Sequence, residues 1–273
     1  MGVAVGKRGV GKTWETMRMI NNYIKGNPAK GIPPRRVLVY DVNNEYPYAT
    51  INEKHIKHFA VHPKIEARRV SIFKSDGNNK SMNEIADTLG VILENFKGGL
   101  LVVEDVNKYV SDNLPQDLIG KLCTLRHVDV DVIMHFQGIG RAGNPKIIAN
   151  LNWLRFHRTN DTVNRHKTKF EDQYDLLKLA ENVIVNVYDH KDAKFMDENG
   201  TIRYFVYVDF DFNKVRGNIT STMADEAIIS HIAENQNEII KPYLTKMDGN
   251  GNTLYDKKGA IIKARKDLFE KYF

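Results

Sequence analysis

The run Gly6-Lys7-Arg8-Gly9-Val10-Gly11-Lys12-Thr13 constrains this 273-residue chain more than any other segment. Its spacing, G-x-x-x-x-G-K-[ST], puts glycines where the backbone must curl tightly enough to aim successive N–H groups at one point. Such a cradle suits phosphate, and a helix beginning near Lys12 adds the positive end of its dipole. Lys12 is long enough to reach terminal phosphates, and Thr13 carries a hydroxyl suited to Mg²⁺. A glycine-rich turn that binds nothing would need no particular neighbours. Here Val3-Ala4-Val5 reads as a short apolar strand before the loop. Trp14 to Lys25 reads as a helix after it, with Trp14, Met17, Ile20 and Ile24 at helical spacing. Strand, loop and helix are the context the motif needs, so Gly6 through Thr13, with Trp14 at the helix start, are expected to bind ATP and Mg²⁺.

At 42% hydrophobic and 27% charged residues, the composition is that of an ordinary globular protein and excludes an intrinsically disordered one. No run approaches the roughly 18 consecutive apolar residues of a membrane-spanning helix. The chain enters its first strand directly, so no signal peptide is expected. Cys123 is the one cysteine, which excludes an internal disulfide and a cysteine-rich metal site. Its apolar surroundings, Leu122-Cys123-Thr124-Leu125, predict a packing role, and a reducing cytoplasm is the expected compartment. A net charge of +6 suits a polyanionic partner.

Apolar runs separated by polar or Gly/Pro segments predict an α/β fold: a P-loop NTPase with a mostly parallel central sheet flanked by helices. Strands are expected at Val37-Leu38-Val39-Tyr40 ending in Asp41, at Arg69 to Phe73, Leu100 to Val103, Asp131 to Phe136, Asn152 to Arg158 and Val183 to Tyr188. Helices are expected at Ser81 to Asn95, where Ser81 and Glu84 form a capping box, and at Leu118 to Leu125. The tail changes character. Tyr204 to Phe212 alternates as an antiparallel edge strand does, with its hairpin turn at Asp197-Glu198-Asn199-Gly200. Ala224 to Lys241 reads as one amphipathic helix. Asp248 to Asn252 imitates a calcium loop, but position twelve would be Gly259 rather than Glu, so it reads as a turn. The expected organisation is an ATPase core over 1–190 and a small antiparallel and helical C-terminal extension over 191–273.

Leu100-Leu101-Val102-Val103-Glu104-Asp105 places two carboxylates at the carboxyl end of a buried strand, where ligands of open α/β sheets bind. By position Glu104 holds Mg²⁺ through water and Asp105 polarises the attacking water, although the Glu-Asp order reverses the commoner one. Phosphoryl transfer also calls for positive charge, often an arginine from a neighbouring subunit. Arg126, before the strand Asp131 to Phe136, and Arg141, after it, both suit that role and suit surface or DNA-facing positions equally. Gln137 ends the same strand at the height of the γ-phosphate.

Together these elements resemble the FtsK–HerA group of P-loop ATPases, motors that pump double-stranded DNA, from about Gly2 to Asp161. The resemblance rests on five elements: the loop Gly6 to Thr13; Val37 to Asp41 continuing into Asn43-Asn44-Glu45-Tyr46; Glu104-Asp105; Arg126 ahead of a strand closing in Gln137; and Leu154 to Asp161. It implies that Lys12 and Thr13 bind nucleotide and Mg²⁺, that Glu104 and Asp105 support hydrolysis, that Arg126 acts across a ring interface, and that Gln137 senses the γ-phosphate. Within the group the chain looks closest to viral genome-packaging ATPases and to the zonula-occludens-toxin-like assembly proteins of filamentous phages.

The expected function is therefore an ATP-driven double-stranded DNA translocase. It would be a phage genome-packaging ATPase working as a homo-oligomeric ring in the host cytoplasm, meeting a portal or capsid protein. Its DNA contacts are expected in the basic stretches Lys54 to Arg69 and Arg155 to Lys169, the latter holding Arg155, Arg158, Arg165, Lys167 and Lys169. Two other readings are an assembly or secretion ATPase that moves protein, and a small-molecule kinase in which Arg155 to Lys169 forms a lid.

Overall fold

The structure, a computed structural model, describes residues 1–74, 76–105, 120–122 and 124–273. It divides into two compact units, Met1–Asn152 and Trp153–Phe273. In the first unit, five strands carry the core: β1 (Gly2–Val5), β2 (Val37–Asp41), β3 (Ala67–Ser71), β4 (Gly99–Val103) and β5 (Val130–Phe136). Their order is β3-β2-β4-β5-β1, and every pairing among them is parallel. Strands β1, β2 and β4 are buried along their whole lengths. That explains their unbroken apolar runs, since a strand covered on both faces has no solvent side to mark with polar residues. The edge strand β3 is only partly buried and keeps Arg68 and Arg69 in its middle.

Helix α1 (Lys12–Lys25) follows β1 through the glycine loop. Between β2 and β3 lies the short α2 (Ile56–Val61). Helix α3 (Met82–Asn95) begins at the predicted capping box: Ser81 Oγ accepts from Glu84 N at 3.3 Å, and Ser81 N donates back to Glu84 Oε2 at 2.8 Å. Its buried face, Ile85, Leu89, Ile92 and Leu93, recurs at helical spacing and covers apolar surface. The helix expected over Leu118 to Leu125 lies partly outside the described residues, as does Cys123; residues 120–122 and 124 are helical.

Register decides where the chemistry collects. Val5 lies opposite Phe136, Tyr40 opposite Val103, and Val103 opposite Met134. The segments leaving β1, β2, β4 and β5 therefore emerge at one edge of a parallel sheet. β5 lies between the strand that feeds the glycine loop and the strand that ends in Glu104 and Asp105.

In the second unit, β6 (Trp153–His157), β7 (Phe205–Asp209) and β8 (Lys214–Arg216) are antiparallel. Three expectations are corrected here. Val183 to Tyr188 is not a strand but the last part of a helix, Tyr174–Asp189, buried along most of its length. Burial all around erases helical periodicity, and a short apolar run then reads equally as strand or helix. The strand expected at Tyr204 to Phe212 is antiparallel as foreseen, but its partners are β6 and β8. The turn at Asp197-Gly200 closes only the bridge from Met196 to Ile202. The helix expected from Ala224 to Lys241 is two helices, Ser221–Glu234 and Gln236–Leu244, meeting at Asn235. A further helix, Lys257–Tyr272, follows. Asp248 is a turn residue: its Oδ1 accepts from Asn250 N at 2.8 Å and Asn252 N at 2.9 Å. The helix Tyr174–Asp189 packs on Ser221–Glu234. Among the described residues, no helix is long and apolar enough to cross a membrane.

Candidate nucleotide site

The glycine loop starts where β1 stops, with Gly6 N donating to Phe136 O at 3.1 Å. Gly9 and Gly11 take left-handed backbone angles, φ +83° and +89°, which a residue bearing Cβ would adopt only under strain. Gly11 is also the N-cap of α1 and provides no side-chain cap. The first N–H groups of that helix thus keep their donors directed at the loop, the arrangement that favours an anion. Lys12 Nζ arches back to donate to Gly6 O at 2.5 Å and Lys7 O at 3.0 Å, holding the ammonium over the loop. Trp14 stands on the first turn of α1, 56% exposed.

Behind the loop runs a buried polar chain. Thr16, on α1, has its Oγ1 2.8 Å from His135 Nε2. His135 Nδ1 lies 2.9 Å from Glu104 Oε1, and Tyr46 donates its hydroxyl to the same oxygen. Burial alone would raise the Glu104 carboxyl. His135 and the Tyr46 hydroxyl, helped by Lys12, outweigh burial and hold it down at about 2. Glu104 is thus an ionised group at 3% exposure. The second acid, Asp105, has φ +41°, left-handed for a residue bearing Cβ. Gln137 Nε2 donates to both its oxygens, at 3.1 and 3.0 Å. His135, inside β5, and Gln137, one residue past its end, each hold one member of the acidic pair.

The loop after β2 forms a third wall. Asp41 accepts from Glu45 N and Tyr46 N, both at 3.0 Å, and is joined by Arg69 Nη1 at 3.1 Å. Arg69 also donates to Asn44 Oδ1. The turn so fixed directs Glu45 at Thr13, whose Oγ1 donates to Glu45 Oε2 at 2.9 Å. Thr13 and an ionised Glu104 are hard oxygen donors of the kind that suits Mg²⁺, so the residues present fit that ion.

The structure separates the two arginine candidates. Arg141 lies in the short helix Ile139–Ala142, exposed and four residues past Gln137, on the loop edge of the sheet. Arg126 lies before the amino end of β5, exposed on the opposite edge, and is not brought to the site of its own chain. Of the expected DNA contacts, Arg155 is corrected: it is fully buried, its guanidinium 5.9 Å from the Phe205 ring centroid. Arg158 lies over Tyr188 and faces Asp189 at 3.6 Å, and Lys167 pairs with Glu238 at 2.5 Å. Arg165 and Lys169 are exposed, as are Lys54 and Lys57 in the first stretch.

Sequence reasoning missed Thr16 and His135, and it gave no role to Glu45 or Tyr46. The available signal was His135 between Met134 and Phe136: a polar residue inside an apolar strand, in phase with Gln137.

The loop, the acidic strand end and the parallel strand order define the class: this is the P-loop NTPase fold. No protein-family model matches the chain, and no curated protein matches it. Among solved structures it is similar to the genome packaging NTPase B204 from Sulfolobus turreted icosahedral virus 2 in complex with ATP-gammaS. The two share 11% identity at a TM-score of 0.51, covering 79% of this chain and 94% of that one. The AMP complex of the same NTPase gives 11% identity, a TM-score of 0.50, and 80% and 96% coverage. The N-terminal domain of zonular occludens toxin from Neisseria meningitidis overlaps at 16% identity and a TM-score of 0.33, over 58% of this chain and 76% of that one. With B204, what is shared at 11% identity is the fold.

Proposed function

We propose that this chain is an ATPase of the genome-packaging type, a homo-oligomeric ring that moves double-stranded DNA. One observation carries the reading: Lys12 and Thr13, chosen from sequence for nucleotide and Mg²⁺, and Glu104, Asp105 and Gln137, chosen for hydrolysis, issue from neighbouring parallel strands at a single sheet edge. The fold shared with a genome packaging NTPase in complex with ATP-gammaS supports it.

In this reading the N–H groups of Gly6 to Thr13 hold the phosphates and Trp14 flanks the nucleotide. Thr13, with Glu104 through water, would hold Mg²⁺, which would supply positive charge against the phosphates. Asp105, oriented by Gln137, faces the attacking water, and an arginine from a neighbouring copy, Arg126 or Arg141, completes the charge. Arg126 lies on the far edge of its own sheet, which supports a role on another copy rather than on its own. The ATPase core spans 1–190, with 191–273 as an extension. Exposed Lys54, Lys57, Arg165 and Lys169 are the DNA-facing cations, and a portal or capsid protein is the docking partner in the host cytoplasm.

The test is ATP turnover with and without double-stranded DNA over a range of protein concentrations. Turnover per subunit should rise as the ring assembles and rise again with DNA, the DNA effect fading steeply with salt because phosphate contacts release counterions. Flat turnover per subunit, indifferent to DNA, contradicts a ring motor.

A further inference from the structure

We propose that Glu45 is the carboxylate that takes the proton of the attacking water, beside Asp105, which polarises that water from the acidic strand end. The proposal rests on the hydrolysis reading above and names a further residue within it.

Three observations meet at this side chain. First, Thr13 Oγ1 donates to Glu45 Oε2 at 2.9 Å, so the carboxylate touches the hydroxyl that the glycine-loop motif assigns to Mg²⁺. Second, although Glu45 is exposed, its backbone is held on both sides. Asp41 takes the N–H groups of residues 45 and 46, Arg69 ties Asp41 to Asn44, and Asn44 turns the chain at φ +57°. A left-handed asparagine fixed by an arginine is a built turn, and what it presents at the site is Glu45. Third, the acids of the strand end are enclosed. Glu104 is 3% exposed, with Tyr46 and His135 both on Oε1; Asp105 is 5% exposed, with both oxygens facing Gln137. A general base must reach its water within hydrogen-bond distance. Glu45, exposed on the loop after β2, is open to such a water from the solvent side, whereas Glu104 lies in the wall. Adjacent residues thus divide the work: Glu45 serves the reacting edge, and Tyr46 holds Glu104.

The step balances as follows. The water oxygen bonds to the γ-phosphorus while the bond from that phosphorus to the bridging oxygen breaks, and ADP leaves with the electron pair. The water proton passes to Glu45 and from there to the released phosphate.

The test compares wild type, Glu45→Gln, Glu45→Asp and Lys12→Ala for turnover and for affinity toward a fluorescent ATP analogue, with Mg²⁺ and in EDTA. Glu45→Gln should lose about a hundredfold or more in kcat. Its affinity in EDTA and its melting temperature should match wild type, and Glu45→Asp should fall between. Wild-type turnover in Glu45→Gln overturns the proposal and leaves the hydrolysis reading intact, provided Lys12→Ala is inactive. Loss of analogue binding in step with turnover also overturns it, since Glu45 would then hold nucleotide. A wild-type chain that binds ATP without turning it over removes both.

Discussion

His135 Nδ1 lies 2.9 Å from Glu104 Oε1, with both side chains buried, and the other ring nitrogen of His135 is 2.8 Å from Thr16 Oγ1. One imidazole therefore joins the helix that carries the phosphate loop to the strand that carries the acidic pair. A buried carboxylate persists in its charged form only when such partners replace water.

Replacing His135 by leucine keeps roughly the volume but leaves Glu104 without this partner. The variant should lose about 3 kcal/mol of stability, within the range for breaking a buried pair. Urea unfolding at pH 7 checks it through a lower midpoint at unchanged slope. Combined with Glu104→Gln, the loss should be smaller than the sum of the two by at least about 1 kcal/mol. Strict additivity would mean that the two groups do not interact.

Gln137 orients Asp105 through two short contacts at the end of the central strand. In Gln137→Ala, kcat should fall by about a hundredfold, as when one positioned donor is lost, while ATP affinity changes by less than about threefold. Steady-state kinetics beside equilibrium binding decides it. A rise in KM alone would assign Gln137 to nucleotide binding.

The capping box at Ser81 and Glu84 holds the first turn of α3, and neither residue contacts the candidate site residues among the described hydrogen bonds. Ser81→Ala should cost about 1 kcal/mol and leave turnover unchanged. Thermal unfolding and ATPase assays on the same preparation test both halves.

In the second unit, His231 Nε2 lies 3.0 Å from Asp175 Oδ1. The hydrogen bond to His231 holds the Asp175 carboxyl below its ordinary value, against burial, which raises it. A depressed folded-state value adds stability that is fully present above the unfolded value, about 3.9, and is lost as pH falls below it. The gap in urea midpoint between wild type and Asp175→Asn should therefore shrink from pH 5 to pH 3. A constant gap contradicts the assignment.

Much of the site was legible because it is written locally. Glycines at positions 9 and 11, an apolar strand before them and a helix after need no knowledge of the rest of the chain. The same holds for Glu104-Asp105 at the end of an apolar run, and for Ser81 with Glu84. What was not legible depends on lateral order. Nothing in the periodicity of β5 states that it lies between β1 and β4, and that placement alone lets His135 and Gln137 reach the two acids. Arg155 read as a DNA contact because charge is normally exposed, yet it is buried beside Phe205. Val183 to Tyr188 read as a strand because the helix it belongs to is covered on nearly every side.

The central claim is that Gly6 to Thr13 binds ATP for hydrolysis. Mg²⁺-dependent ATP turnover by wild type and Lys12→Ala, measured with nucleotide binding on the same samples, tests it most directly. Wild type should release phosphate, and Lys12→Ala should lose about a hundredfold or more with its fold intact, because the lysine supplies the positive charge over the terminal phosphates. Equal turnover by the two proteins would contradict the account.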